Sequence, residues 1–224
     1  MFFYKLKLHS KMTSIIQTLP YSVFNESEKI NSLFEAGMDF LHIRKPLYTE
    51  SQMKLLIEGI EKKYHSKITI HSHFSLLKKF ELKGIHISSS DLNSFFKKRY
   101  IKYLKGKYNI SVSITVSNLK SKNITDNLID YGFVGPVFIN YSEESIVSNY
   151  NLFEAKKELK ALNKKVYAQG IYSLQNISAI NAAGFSGPVL QSYIWKSDDI
   201  LNNFKSLILN SEERVEKDLK SIAI

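Results

Sequence analysis

Gly37, Gly84, Gly132 and Gly184 each stand where a helix-like stretch gives way to a strand-like one, at intervals of 47, 48 and 52 residues. The junctions read Glu35-Ala36-Gly37-Met38-Asp39-Phe40, Leu82-Lys83-Gly84-Ile85-His86-Ile87, Asp130-Tyr131-Gly132-Phe133-Val134 and Ala182-Ala183-Gly184-Phe185. Glycine just past a helix takes the left-handed conformation that other residues resist. One strand and one helix with their loops need roughly 25 residues, so each interval holds two β/α units and about eight exhaust the chain. That arithmetic predicts an α/β fold, a closed (β/α)8 barrel with its chemistry at the C-terminal ends of the strands.

The local patterns fill in this frame. Strands are expected over Met12–Thr18, Phe40–Arg44, Lys67–His71, Ile85–Ile87, Ile110–Ile114, Phe133–Val134, Val166–Ala168 and Val189–Gln191. Helices are expected over Asn25–Ala36, Thr49–Lys63, Leu76–Phe80, Leu119–Ile129, Tyr150–Leu162, Leu174–Ala183 and Asp198–Leu209, with Asp91 capping one toward Leu104. Leu152, Phe153, Ala155, Leu159 and Leu162 form an apolar stripe. Ser211–Ile224 reads as an extra C-terminal helix or tail. No linker or low-complexity run interrupts the 224 residues, so 1–224 is expected to be one domain.

Charge and composition narrow the function classes. The net charge of +10 favours anionic partners, but the lysines scatter and no RNA-binding motif appears, so no nucleic-acid partner is expected. No apolar run approaches the roughly 20 residues of a membrane span, so no membrane partner is expected. The start lacks a signal-peptide pattern, and the absence of cysteine fits a reducing compartment; a cytoplasmic protein is expected. Homo-oligomerisation is left open.

Polar groups collect at the strand ends: His42-Ile43-Arg44-Lys45-Pro46, His71-Ser72-His73, His86 through Asp91, Ser111 to Thr115, Asn140-Tyr141-Ser142, Gln169-Gly170-Ile171 and Gln191-Ser192. His42, His71, His73 and His86 fall on neighbouring strands, and His71 and His73 share a strand face. Two readings of them stand, a Zn²⁺-type site and a set of hydrogen-bonded interior histidines. Tyr141, Glu143 and Glu144 lie on a polar loop that suits a lid or a solvated surface.

In this order and spacing, from about Ser14 to Leu207, the motifs resemble the thiamin phosphate synthase and thiazole tautomerase superfamily. The most specific piece is Asp130-Tyr131-Gly132-Phe133-Val134-Gly135-Pro136-Val137-Phe138, joined by Leu41–Pro46, Ile70–Phe74 and Asn176–Gly187. The resemblance implies transfer of an aminopyrimidine-methyl group from its pyrophosphate to a thiazole phosphate, with release of pyrophosphate. The implied partners are small phosphorylated pyrimidine and thiazole substrates. The implied cofactor is Mg²⁺, with no organic cofactor.

Residue by residue, the resemblance makes Arg44 the pyrophosphate arginine, Ser113 a pyrophosphate-contacting serine and Asp91 the Mg²⁺ carboxylate. His71 occupies an active-site position and is read as a proton shuttle. Asn140 and Ser142 match two loop threonines. His42 and Lys45 are expected at the substrate, and the backbones at Gly170 and Ser192 at a phosphate. The chain departs from the family at Pro46 (a lysine there), at His71-Ser72 (Asn-Asp, so a metal carboxylate is lost), at Glu143 (a lysine), at Ile171 (a glycine) and at Thr115 (the tautomerase histidine). Two alternatives therefore remain: a tautomerase-like isomerase, and a degenerate barrel that binds a phosphorylated thiamin precursor.

Overall fold

Short runs of β-branched and aromatic residues make the strands, and their period of two decides what faces the barrel axis. The computed structural model describes residues 13–142 and 145–207. In chain order the strands are β1 (Ile15–Gln17), β2 (Phe40–Ile43), β3 (Ile68–Ile70), β4 (Gly84–Ile87), β5 (Ser111–Val116), β6 (Tyr131–Val134), β7 (Phe138–Ser142), β8 (Ser145–Ser148), β9 (Lys165–Ala168) and β10 (Gly187–Leu190). All but β7 and β8 form a closed parallel barrel, in which β1 pairs on one side with β2 and on the other with β10. β7 and β8 form a separate antiparallel hairpin inserted between barrel strands β6 and β9.

The helices are α1 (Glu26–Glu35), α2 (Glu50–Glu58), α3 (Ser89–Asn93), α4 (Phe95–Tyr108), α5 (Leu152–Ala161), α6 (Leu174–Ala183) and α7 (Ser192–Trp195), followed by a helical stretch at 200–207. Among the described residues none is long and apolar enough to cross a membrane. Outward-facing strand residues such as Leu41, Ile43, Ile68, Ile70, Val112 and Ile114 pack with helix residues such as Ile30, Leu33, Met53 and Ile57 into the main core. Inside the barrel a second, aromatic-rich cluster of Ile15, Tyr131, Phe133, Tyr167 and Val189 fills the axis.

The glycines behave in two ways. Gly184 ends α6 at φ 91, the left-handed cap its junction predicts. Gly84 does not: it opens β4, and a Cβ there would lie 2.1 Å from the Ser111 carbonyl oxygen. Its constraint is close strand approach rather than backbone hand.

Several expected helices differ. The Thr49–Lys63 helix stops at Glu58, where the Asn31 side chain takes over, donating to the Gly59 carbonyl and accepting from the Glu61 N–H. Asp91 is not the cap: Ser88 is, and Asp91 closes the capping box from the third helical position. The chain then turns extended at Ser94 before α4 begins. The Leu119–Ile129 helix reduces to a 3-10 turn at Lys122–Thr125, because Ser121 and Asp126 side chains capture backbone N–H groups at Asn123 and Leu128. Leu76–Phe80 likewise becomes a 3-10 turn, at Phe74–Lys78. Phe153 is exposed rather than part of the buried stripe of α5. The expected features at Glu143, Glu144 and Ser211–Ile224 lie outside the described residues.

Candidate active site

A cleft of about 610 Å³ opens at the C-terminal ends of β1 to β5 and β9. Its walls include Gln17, Arg44, His71, Ser72, His86, Asp91, Thr115 and Gln169. Arg44, His71 and Asp91 are thus brought together as expected from the strand ends.

Arg44 directly follows β2 and is exposed. Among the described residues its guanidinium has no hydrogen-bond or ion-pair partner, while its backbone is held by the Thr18 hydroxyl. Such a planar, permanently charged fork suits phosphate oxygens.

Lys45 is different. It is fully buried, with Nζ 2.7 Å from both Glu26 carboxylate oxygens and 2.5 Å from the Tyr21 carbonyl oxygen. The expected substrate contact of Lys45 is therefore corrected: its charge is spent on Glu26.

The histidines form one neutral network. His42 Nδ1 lies 3.0 Å from His71 Nε2, and His42 Nε2 lies 2.9 Å from the Tyr131 hydroxyl. His86 Nδ1 and Nε2 lie 2.9 Å from the Ser113 and Thr115 hydroxyls. His71 and His86 stack, with ring centroids 4.2 Å apart. Burial first, and then neighbouring positive charge, pushes the pKa of His42 and His71 well below the usual value and that of His86 down to about 3. The charge of Arg44 contributes to the shifts of His71 and His86. At neutral pH all three are uncharged.

This geometry corrects two further expectations. His42 is fully buried beneath His71, so it touches His71 and not a ligand. Ser113 is fully buried too, holding His86 and donating to the Ile85 carbonyl. His73 leaves the group: it sits at φ 54 and bonds the Tyr48 carbonyl. Both histidine readings keep support: each ring nitrogen of His42 and His86 has a hydrogen-bond partner, and His42, His71 and His86 each bring one nitrogen within 4.8 Å of the others, close enough to share a metal ion.

Gly170 and Ser192 follow β9 and β10 and line no part of this cleft. Gly170, at φ 80, packs against the Phe138 carbonyl and Pro136, so any side chain there strains the loop whether or not a phosphate binds. Asn140 and Ser142 lie on β7, and their side chains are outside the described residues.

The donor set does not fit a protein-held Mg²⁺, which prefers one or two free carboxylates among hard oxygens. Asp91 is the sole carboxylate lining the cleft among the described residues. One of its oxygens accepts from the Ser88 N–H and hydroxyl, and the other lies 2.8 Å from Lys97 Nζ. Burial would raise its pKa, but these bonds from Lys97 and Ser88 outweigh it and hold the carboxyl below its usual range. At the second carboxylate position stands Ser72, whose Oγ is buried without a hydrogen-bond partner.

Sequence reasoning gave no site role to Tyr131, Gln17 or Gln169 and missed the burial of Ser72 Oγ. The signal for Tyr131 was its period-two spacing from Phe133 on a barrel strand. For Gln17 and Gln169 it was a polar residue at the end of an apolar strand.

Comparison with known proteins agrees with the fold. A family model described as thiamine monophosphate synthase matches residues 20–194. No curated protein sequence matches the chain. Among solved structures, thiamine phosphate pyrophosphorylase from Bacteroides thetaiotaomicron is 29% identical, with a TM-score of 0.70 over 88% of this chain and 95% of that one. The thiamine phosphate pyrophosphorylase from Pyrococcus furiosus is 15% identical, with a TM-score of 0.70 over 92% and 97% of the two chains. A 3-hexulose-6-phosphate synthase, 14% identical, reaches a TM-score of 0.63 over 88% and 99%. The last two are likenesses of fold alone.

Proposed function

The chain belongs to the thiamine monophosphate synthase family, and on that premise we propose that it joins an aminopyrimidine-methyl pyrophosphate to a thiazole phosphate and releases pyrophosphate. The observation that carries this reading is Arg44, whose guanidinium has no partner among the described residues, on a clamped backbone at the mouth of a cleft whose other charged lining groups, Lys45 and Asp91, are paired with Glu26 and Lys97.

In this reaction the bond from the methylene carbon to the pyrophosphate oxygen breaks. The electron pair leaves with pyrophosphate, and the thiazole nitrogen lone pair then forms the new carbon–nitrogen bond. Arg44 binds the departing anion, where charge grows most in the transition state. His71 and His86, with His42 beneath them, keep this part of the wall polar but uncharged, so the developing pyrimidine cation meets no imidazolium there. The thiazole phosphate is assigned to the loops after β9 and β10, at Gly170 and Ser192, with Asn140 and Ser142 on the adjoining hairpin. The tautomerase reading gains no support at its own position, because the Thr115 hydroxyl is engaged with His86.

The test is an assay with both precursors, run with Mg²⁺ and with chelator. The expected result is thiamin phosphate and pyrophosphate in equal amounts. Precursor binding with no product under either condition would replace the transferase with the binder.

A further inference from the structure

Three polar groups in the cleft stand ready for a partner that the protein does not supply. Among the described residues Arg44 has none for its guanidinium, and Ser72 Oγ is buried and unpaired. The third is His71 Nδ1. His71 Nε2 is taken by His42, and no described residue bonds Nδ1. Ser72 Oγ is the sole fully buried side-chain polar atom without a partner among the described residues, so Nδ1 is not sealed off, and His71 lines the cleft.

The bonds behind His71 have a direction available to them. With the Tyr131 hydroxyl donating to His42 Nε2, His42 carries its proton on Nδ1 and donates to His71 Nε2. Neutral His71 then carries its proton on Nδ1. Thr69 Oγ1, 3.3 Å from the Tyr131 hydroxyl, is placed to supply that hydroxyl's own donor. In that direction the chain Thr69–Tyr131–His42–His71 ends in an N–H at the cleft, which Ser72 and Arg44 also line.

Among the described residues the same wall carries no carboxylate that lacks a partner. Lys45 is neutralised by Glu26, and Asp91 by Lys97, with the Ser88 hydroxyl donating to its other oxygen. The position from which a second carboxylate would demand a divalent cation carries a hydroxyl instead.

We infer that this cleft binds its pyrophosphate group directly, through Arg44, the Ser72 hydroxyl and the Nδ1–H of neutral His71, with no divalent cation held by the protein. The inference rests on the anion reading of the cleft proposed above and departs from the magnesium dependence which the family resemblance implies. Donors replace the metal as the source of positive potential at the phosphate oxygens. Ser72 is the residue that sets this preference, since a carboxylate there would repel the anion unless a cation bridged them.

The experiment titrates inorganic pyrophosphate into the full chain by calorimetry, once in chelator and once in excess Mg²⁺. Binding in chelator is expected to be at least as tight as in Mg²⁺, because no protein ligand waits for the metal and Mg²⁺ itself draws pyrophosphate into a solution complex. Ser72→Ala weakens binding in both buffers. Ser72→Asp weakens it in chelator and recovers it in Mg²⁺, so that the variant acquires the metal dependence the parent lacks. Nitrogen-resolved NMR of the parent complex shows His71 protonated on Nδ1. Binding by the parent that falls more than about tenfold in chelator overturns the inference and leaves the transferase reading standing. Failure to bind pyrophosphate in either buffer overturns both. Should Ser72→Asp melt early, Ser72→Ala decides alone: unchanged affinity there removes Ser72 from the site and sinks the inference.

Discussion

The Thr18 hydroxyl accepts from the Arg44 backbone N–H at 2.9 Å and donates to the Arg44 carbonyl at 3.3 Å. One fully buried side chain just past the end of β1 thereby fixes both backbone polar groups of the residue that carries the charged fork. Thr18→Val keeps the shape and removes both bonds. We predict a fall in kcat/KM of about tenfold or more, because reaction rates respond steeply to sub-ångström misplacement of a binding group. Steady-state kinetics with both precursors measure it; an unchanged kcat/KM would mean that backbone position at Arg44 is irrelevant to turnover.

Arg44 and Asp91 separate in their effects. Arg44→Ala removes the unpaired fork and is expected to cost about 2–4 kcal/mol of transition-state stabilisation, tens- to several-hundredfold in kcat/KM. Asp91→Ala removes half of a capping box and is expected to cost about 0.5–2 kcal/mol of folding stability, with a smaller loss of rate. Urea unfolding beside kinetics on the two variants tests the ranking, which fails if Asp91→Ala slows the enzyme more.

Lys45 and Glu26 stabilise only as a pair. Burial pushes the Glu26 pKa up and the Lys45 pKa down, and each partner works against the other's shift. Removing one charge strands the other: Lys45→Met or Glu26→Gln is predicted to lose about 3–5 kcal/mol. The double replacement Glu26→Leu with Lys45→Met is predicted to recover most of that loss. Chemical denaturation of the three variants checks this, and additive losses would contradict it.

Acid should weaken the fold through the histidines. Their folded-state pKa values lie below the unfolded value near 6.5, so above that pH neither state binds extra protons and the histidines contribute no slope. Below it the unfolded chain takes up protons that the native barrel refuses. Each histidine then subtracts up to about 1.4 kcal/mol per pH unit until its folded pKa is reached. Denaturation midpoints measured from pH 8 down to 5 should stay level and then drop below about 6.5. His42→Gln should flatten the drop, and an equal slope in parent and variant would refute the assignment.

The barrel was legible in the sequence because its signals are local. Ser173 and Gly184 mark both ends of α6, and that helix falls on Leu174–Ala183 as read. The turn at Lys122–Thr125 was hidden because polar side chains there compete for the backbone, a contest propensity does not settle. The hairpin β7–β8 was missed since its short strands straddle polar residues that read as loop. At the site, strand ends brought Arg44, His71 and Asp91 together. Lys45 was misread because nothing near it in sequence announces Glu26, which arrives from α1. His42 and Ser113 were misread by depth: both face inward, but a strand position does not say how far below the mouth a side chain lies.

Tyr131 belongs to the apolar cluster that plugs the barrel and also begins the last two bonds leading up to His71. Packing at the axis and polarity at the mouth thus share one side chain. An engineer who transplants only the strand-end loops onto another barrel would leave behind the phenol that orients them. Conversely, redesign of the plug with branched aliphatic residues, a routine way to harden a barrel, would release His42 to turn its ring and change what the cleft offers its ligand. Portability of this chemistry is bounded by the plug and not by the rim.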